Sequence, residues 1–294
     1  MSDDTVKKES CRSAIKPIWF PGCGDWSVDA AITSAIQALN LDRSMVAIVS
    51  GIGCSSAMPH SFATYGIHGL HGRLLPLASG MKFANNRLTV IGTGGDGDGY
   101  GIGIGHLIHA ARRNIDITYI VMNNEIYGLT TGQASPTTFV GQKTKSTPFG
   151  NVETPENPLA VALAAGATYV ARAFSGDPVQ MAELIKGGIT HKGFAIIDAF
   201  SPCVTYNSFN TYDWYRKRVY KLDRSNHDPS SRIKAYEKAI ETETTGWERI
   251  PLGLLYKADM PTFSDLDIAL KEGALVSQAF PTKEKVQEIM KECL

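Results

Sequence analysis

The stretch IGTGGDGDGYGIGIGHLIHAARRNIDITYIVMNNEIYGLTTGQASPT, residues 91–137, decides how this chain folds. It reads as strand, glycine-rich turn, helix, strand and loop. LTVIGTG (88–94) and ITYIVMN (117–123) are apolar, β-branched runs too short for isolated helices, and each closes on Gly or Asn. Between them, residues 102–113 carry apolar side chains on a helical period. One helix and one strand separate Asp96 from Asn124, 28 positions on, so parallel strands bring these two side chains together at neighbouring carboxyl ends.

Outward from this unit, MVAIVSG (45–51), TYVARAF (168–174) and FAIIDAF (194–200) read as further buried strands, and 28–39, 158–165 and 178–191 as helices. The alternation predicts an α/β fold with a mostly parallel, doubly wound sheet over residues 1–220. Residues 128–158, rich in Thr, Gly, Ser and Pro, form a connection too long to be routine, placed directly after a strand end where ligands bind in open sheets. After about Lys221 the pattern turns to charged helices and Pro-Leu-Gly elements without a clear strand, which predicts a helical docking arm over 221–294. A length of 294 residues suits a single large α/β core with that extension.

Twenty-nine basic and 29 acidic residues cancel, which argues against nucleic acid or an anionic membrane as a general partner. The N-terminus carries no apolar run after its charges, and no stretch reaches the roughly 20 apolar residues of a membrane span, so a cytoplasmic location is expected. Five scattered cysteines, at 11, 23, 54, 203 and 293, do not form the pattern of a secreted disulfide framework.

Asp96 is flanked by glycines that let a diphosphate approach the backbone ahead of a helix N-terminus. An Asp carboxylate, an Asn amide oxygen, a backbone carbonyl and two phosphate oxygens make a hard octahedral site suited to Mg²⁺. Glycine turns of a doubly wound sheet also occur without any ligand. A dinucleotide fingerprint forced onto Gly99 and Gly101 lacks its acidic residue about 20 positions on.

The segment resembles the signature of thiamine-diphosphate enzymes, and WFPGCGDW (19–26), GIGCSSAMPH (51–60), GIHGLHGR (66–73), NNEIYGLTTGQASPT (123–137), TKSTPFG (144–150) and SPCVTYN (201–207) narrow the resemblance to the β subunits of 2-oxoacid:ferredoxin oxidoreductases, most like the 2-oxoglutarate type, over about residues 19–220. The resemblance implies CoA-acylating oxidative decarboxylation of a 2-oxoacid, with thiamine diphosphate as electron sink and electrons passing through a [4Fe–4S] cluster to ferredoxin. It implies an α subunit that holds the pyrimidine-binding domain and the activating glutamate, in a heterodimer or a dimer of heterodimers. It implies Mg²⁺ ligation by Asp96, Asn124 and the Ile126 carbonyl, and cofactor contacts from Gly95, Gly97, Asp98, Tyr127, Gly128 and Leu129 as well. His68, His71 and Arg73 resemble residues that line the cofactor, with catalytic roles expected for all three beside the alternative of structural histidines; His106 and His109 read as packing residues on the helix.

Cys23, Cys54 and Cys203 fall inside strings whose cysteines ligate the cluster in that family. The family's Cys-Pro-Gly-Cys is here Phe20-Pro21-Gly22-Cys23, which leaves one ligand to find; Cys11 is the expected replacement and Cys293 an incidental thiol. Where the family often carries a basic residue three positions after Cys54 stands Ala57. Two other readings compete. A non-oxidative thiamine-dependent decarboxylase or synthase has no use for the cysteines, and a zinc-stapled module without activity uses thiolates for Zn²⁺.

Overall fold

A computed structural model of the chain describes residues 11–223 and 225–292. The strands are β1 (Val46–Ser50), β2 (Tyr65–His68), β3 (Thr89–Gly95), β4 (Ile117–Asn123), β5 (Tyr169–Phe174), β6 (Phe194–Phe200), β7 (Val219–Lys221) and β8 (Ile250–Lys257). They form one sheet in the order β2-β1-β3-β4-β6-β5-β8-β7, parallel throughout except where β8 runs against β5. The helices are α1 (Asp25–Ala38), α2 (Leu74–Ala84), α3 (Ile104–Arg112), α4 (Pro158–Ala165), α5 (Pro178–Thr190), α6 (Tyr212–Arg216), α7 (Arg232–Thr244), α8 (Phe263–Leu266), α9 (Ile268–Lys271) and α10 (Lys283–Glu292). One core packs α2, α3, α4 and α7 on one face of the sheet, and a second packs α1 and α5 on the other. Strands β1, β4, β5 and β6 are buried along their whole length, as continuous apolar runs covered on both faces must be.

Asp177 and Asn157 cap α5 and α4 through side chains that accept from Gln180 and Ala160 backbone N–H groups, each followed by proline at the first helical turn. These local signals put both helices where the apolar period had them.

The tail departs from expectation. Residues 221–257 are not a helical arm: β8 joins the main sheet and α7 packs against it. Pro251 and Gly253 hide this strand in the sequence, because proline cannot donate to a ladder. Pro251 escapes that constraint. Pairing with β5 begins at Gly253, whose φ is +137°, and the register shifts at a bulge between Val170 and Ala171. Beyond Lys257 the chain continues as short helices, and α10 buries no residue. Among the described residues no helix is long and apolar enough to cross a membrane.

Candidate active site

The site stands at the carboxyl ends of β1, β3 and β4. Gly95 of β3 pairs with Met122 of β4, so Asp96 and Asn124 follow adjacent strand ends. A cavity there is lined by Ile52, Cys54, Ser55, His71, Gly95, Asp96, Gly97, Asp98, Asn124, Ile126, Tyr127, Gly128 and Leu129. All the glycine-segment and post-β4 residues expected to hold the cofactor thus meet in one place. The chain leaves β4 through Glu125, held at φ +57°, and the Asn124 amide oxygen accepts from the Ile126 N–H at 3.1 Å. Gly97 cannot be larger, because an added Cβ would fall within the Tyr127 ring, whose hydroxyl donates to the Gly97 carbonyl at 3.1 Å.

Behind this surface lies a buried polar layer. Thr137, from the long loop, donates to Asp96 Oδ2 at 2.7 Å and is 2.9 Å from Asn123 Oδ1. Asn123 Nδ2 and the Tyr100 hydroxyl both donate to Asp198, at 3.2 and 2.9 Å, while Glu125 accepts from the Tyr215 hydroxyl at 2.8 Å. Burial raises the pKa of Asp96 against the hydroxyls of Ser135 and Thr137, and raises Asp198 to about 6 against the charge of buried Arg172. Burial likewise raises Glu125 well above the carboxylate range. Of these carboxylates only Asp198 is coupled to the buried Arg172 guanidinium, so Asp96 has no cationic side chain of its own and a divalent cation held by Asp96 and Asn124 would offset its charge. The hard oxygen donors of Asp96 and Asn124 fit Mg²⁺.

The other expected residues separate. His71 lines the cavity with its Nδ1 3.1 Å from Asp98. Asp98 also accepts from the Ile52 and Gly72 N–H groups at 2.9 and 2.7 Å, so its carboxylate ties two turns of the cavity wall together. His68 and Arg73 do not line this cavity: His68 is exposed on β2 with its ring nitrogen 3.1 Å from that of His60, and Arg73 is the exposed residue just before α2. His106, on α3, lies near Arg73, whose charge adds to burial in lowering its pKa.

A second cavity of about 140 Å³, roughly ten times the room one water needs, is lined by Cys23, Cys54 and Cys203. The two cavities share Cys54, Asn124, Gly128 and Leu129 as a wall. A side chain at Gly128 would begin 3.6 Å from the Cys54 sulfur and 3.9 Å from that of Cys203. Burial raises the Cys23 and Cys54 thiols, Cys54 to about 11, with the buried Asp25 carboxylate adding to the effect. Among the described residues no three His, Cys, Asp or Glu side chains close on a single-ion site. Cys23, Cys54 and Cys203 bring three thiols to one cavity, the donor type that an iron–sulfur cluster takes. Cys11, the expected fourth, lies elsewhere. It is packed in the α1 core, its carbonyl accepts from Ala63 N–H at 2.8 Å, and it does not line the cavity. Cys293 lies outside the described residues.

Sequence reasoning missed Thr137, Asp198, Tyr100 and Asp25. Thr137 stands inside the quoted segment and Asp98 inside its glycine run, but nothing in a lone Thr signals that a loop will fold it back onto a strand end.

This arrangement defines the diphosphate-binding half of a thiamine-dependent enzyme, and residues 51–199 match the family described as thiamine pyrophosphate enzyme, C-terminal TPP binding domain. Residues 203–272 match the family of the C-terminal part of the pyruvate ferredoxin oxidoreductase β chain. The chain is 45% identical, over 84% of its length and 80% of the relative's, to 2-oxoacid:ferredoxin oxidoreductase 1, subunit beta, of Aeropyrum pernix. It is 44% identical, over 85% of both, to the 2-oxoacid:ferredoxin oxidoreductase subunit beta of Saccharolobus solfataricus. The solved 2-oxoglutarate:ferredoxin oxidoreductase of Magnetococcus marinus, with 2-oxoglutarate, coenzyme A and succinyl-CoA bound, superposes with a TM-score of 0.89 at 41% identity, covering 97% of this chain and 96% of that one. The chain belongs to the β subunits of the 2-oxoacid:ferredoxin oxidoreductases.

Proposed function

We propose that this enzyme subunit binds thiamine diphosphate through Mg²⁺ held by Asp96, Asn124 and the Ile126 carbonyl, and that it carries out CoA-dependent oxidative decarboxylation of 2-oxoglutarate, passing electrons through an iron–sulfur cluster to ferredoxin. The observation that carries this reading is the shared wall: the cavity at the strand ends and the cavity of the three thiols meet at Cys54, Asn124 and Gly128. A non-oxidative thiamine enzyme has no use for that junction. Thiamine diphosphate, when bound, supplies the electron sink for loss of CO₂. Asp96 contributes a carboxylate oxygen oriented by Thr137, and Asn124 an amide oxygen. Asp98 engages His71 at Nδ1, which leaves Nε2 as the atom through which His71 donates or accepts a proton toward the cavity.

Choice of 2-oxoglutarate rests on the TKSTPFG segment and on the Magnetococcus marinus enzyme's bound substrate. The segment beyond Lys257 is the docking arm for the α subunit: α10 presents Val286, Ile289 and Met290 at helical spacing, all exposed. Anaerobic assay of the α–β complex tests the whole reading. Ferredoxin reduction that requires both CoA and 2-oxoglutarate, and is slower with pyruvate, is expected; reduction faster with pyruvate removes the substrate assignment, and CO₂ release without ferredoxin reduction removes the oxidative one.

A further inference from the structure

Phe20 occupies a ligand position without a ligand atom. Phe20, Pro21, Gly22 and Cys23 close a turn in which the Cys23 N–H donates to the Phe20 carbonyl at 3.0 Å. Proline at the second place and Gly22 at φ +86° in the third are what a type II turn demands. Such a turn holds its first and last Cα atoms within about 7 Å. Both side chains line the thiol cavity, so the backbone of a two-thiol chelate is present with a phenyl ring in place of one sulfur. Among the other residues that line the cavity, Thr205 and Tyr206 bring hydroxyls but no thiol. The Trp19 indole N–H is used by the Cys54 carbonyl at 2.7 Å, the Asn124 amide oxygen is the one assigned above to Mg²⁺, and Cys11 lies in the core of α1. Phe20 itself is 57% exposed at the cavity rim, with Val204 and Thr205 exposed beside it.

We infer that the cluster held by Cys23, Cys54 and Cys203 has one iron without a cysteine ligand, and that water or hydroxide from solvent takes the position a cysteine at residue 20 would fill. This rests on the cluster reading given above. An iron held only by solvent and bridging sulfides is the one that leaves on oxidation. A [4Fe–4S]²⁺ cluster that gives one electron to ferricyanide, forming ferrocyanide, releases one Fe²⁺ and becomes [3Fe–4S]⁺; Fe²⁺ with a reductant restores it.

The experiment uses the α–β complex purified anaerobically, with iron and sulfide counted and paramagnetic resonance recorded before and after one equivalent of ferricyanide. Wild type should lose one iron of the four and show the three-iron signal. Phe20→Cys should keep all four irons under the same treatment, while Phe20→Leu, Cys11→Ser and Cys293→Ser should behave as wild type. A wild-type cluster that keeps four irons through oxidation overturns the inference, as does faster iron loss in Cys11→Ser or Cys293→Ser. Should Phe20→Cys fail to assemble, the wild-type oxidation decides alone. Absence of iron and sulfide from the complex overturns the cluster reading itself, and zinc in their place does the same.

Discussion

Thr137→Val isolates what the long loop does for the metal site. The substitution keeps the shape of a fully buried side chain and removes one hydroxyl. That hydroxyl sits 2.7 Å from Asp96 Oδ2 and 2.9 Å from Asn123 Oδ1. Leaving a buried acceptor unpaired costs about 1–3 kcal/mol. Asp96 is the more exposed to this loss, because burial already works against its charged form and Thr137 is one of the hydroxyls opposing that. Partners that orient a metal ligand typically contribute about 10–100-fold to affinity, or about 1.4–2.8 kcal/mol at 1.4 per tenfold. Calorimetric titration of the variant with thiamine diphosphate and Mg²⁺ should therefore show affinity lower by one to two orders of magnitude, with a melting temperature a few degrees down. Thr137→Ser should restore most of both. Affinity equal to wild type in Thr137→Val, with the protein folded, would mean that the loop merely covers the site and does not hold Asp96 in position.

Asp96→Ala should abolish Mg²⁺-dependent cofactor binding while circular dichroism stays native; retained binding by calorimetry removes Asp96 from the metal site. The β chain purified alone should give no 2-oxoacid-dependent reduction of ferredoxin or dye, and full turnover by the rigorously single chain contradicts the need for an α subunit. Asp198 is raised to about 6 in the folded state, above the ~3.9 of an unfolded Asp, so the native protein binds the extra proton and stability falls as pH rises from about 4 through 6. Metal-free Asp198→Asn should flatten that decline in thermal melts, and parallel profiles for the two proteins would remove Asp198 as its source.

The parts of the fold legible in the sequence are those where a local pattern and the final environment agree. ITYIVMN and FAIIDAF match β4 and β6 to the residue because a strand covered on both faces needs no polar alternation, and the run of apolar residues is the whole signal. Helix α4 is equally plain from Pro158 at its start and Gly166, at φ +98°, just after its end. Strand β2, exposed at the sheet edge, and β8, interrupted by proline and glycine, carry no such signal. That Asp96 and Asn124 meet at neighbouring strand ends is readable because they lie one crossover apart. Cys11 is misplaced by the sequence because 12 positions of chain set only a maximum reach and do not say which way the chain turns. The resemblance of GIHGLHGR groups His68 and Arg73 with His71, and of the three only His71 lines the cavity.

The antiparallel seat of β8 against β5 bears on how the chain is made. The cofactor cavity is complete once residues 51–137 are folded against β6, but β5 keeps a bare row of backbone donors and acceptors until Lys257 has left the ribosome. For the time it takes to synthesise roughly 60 residues, at about 5–20 per second, a nascent chain with a formed cleft exposes a sheet margin able to pair with another chain. Premature termination anywhere between β6 and β8 would therefore yield a product that still folds its active half and aggregates through its unguarded border.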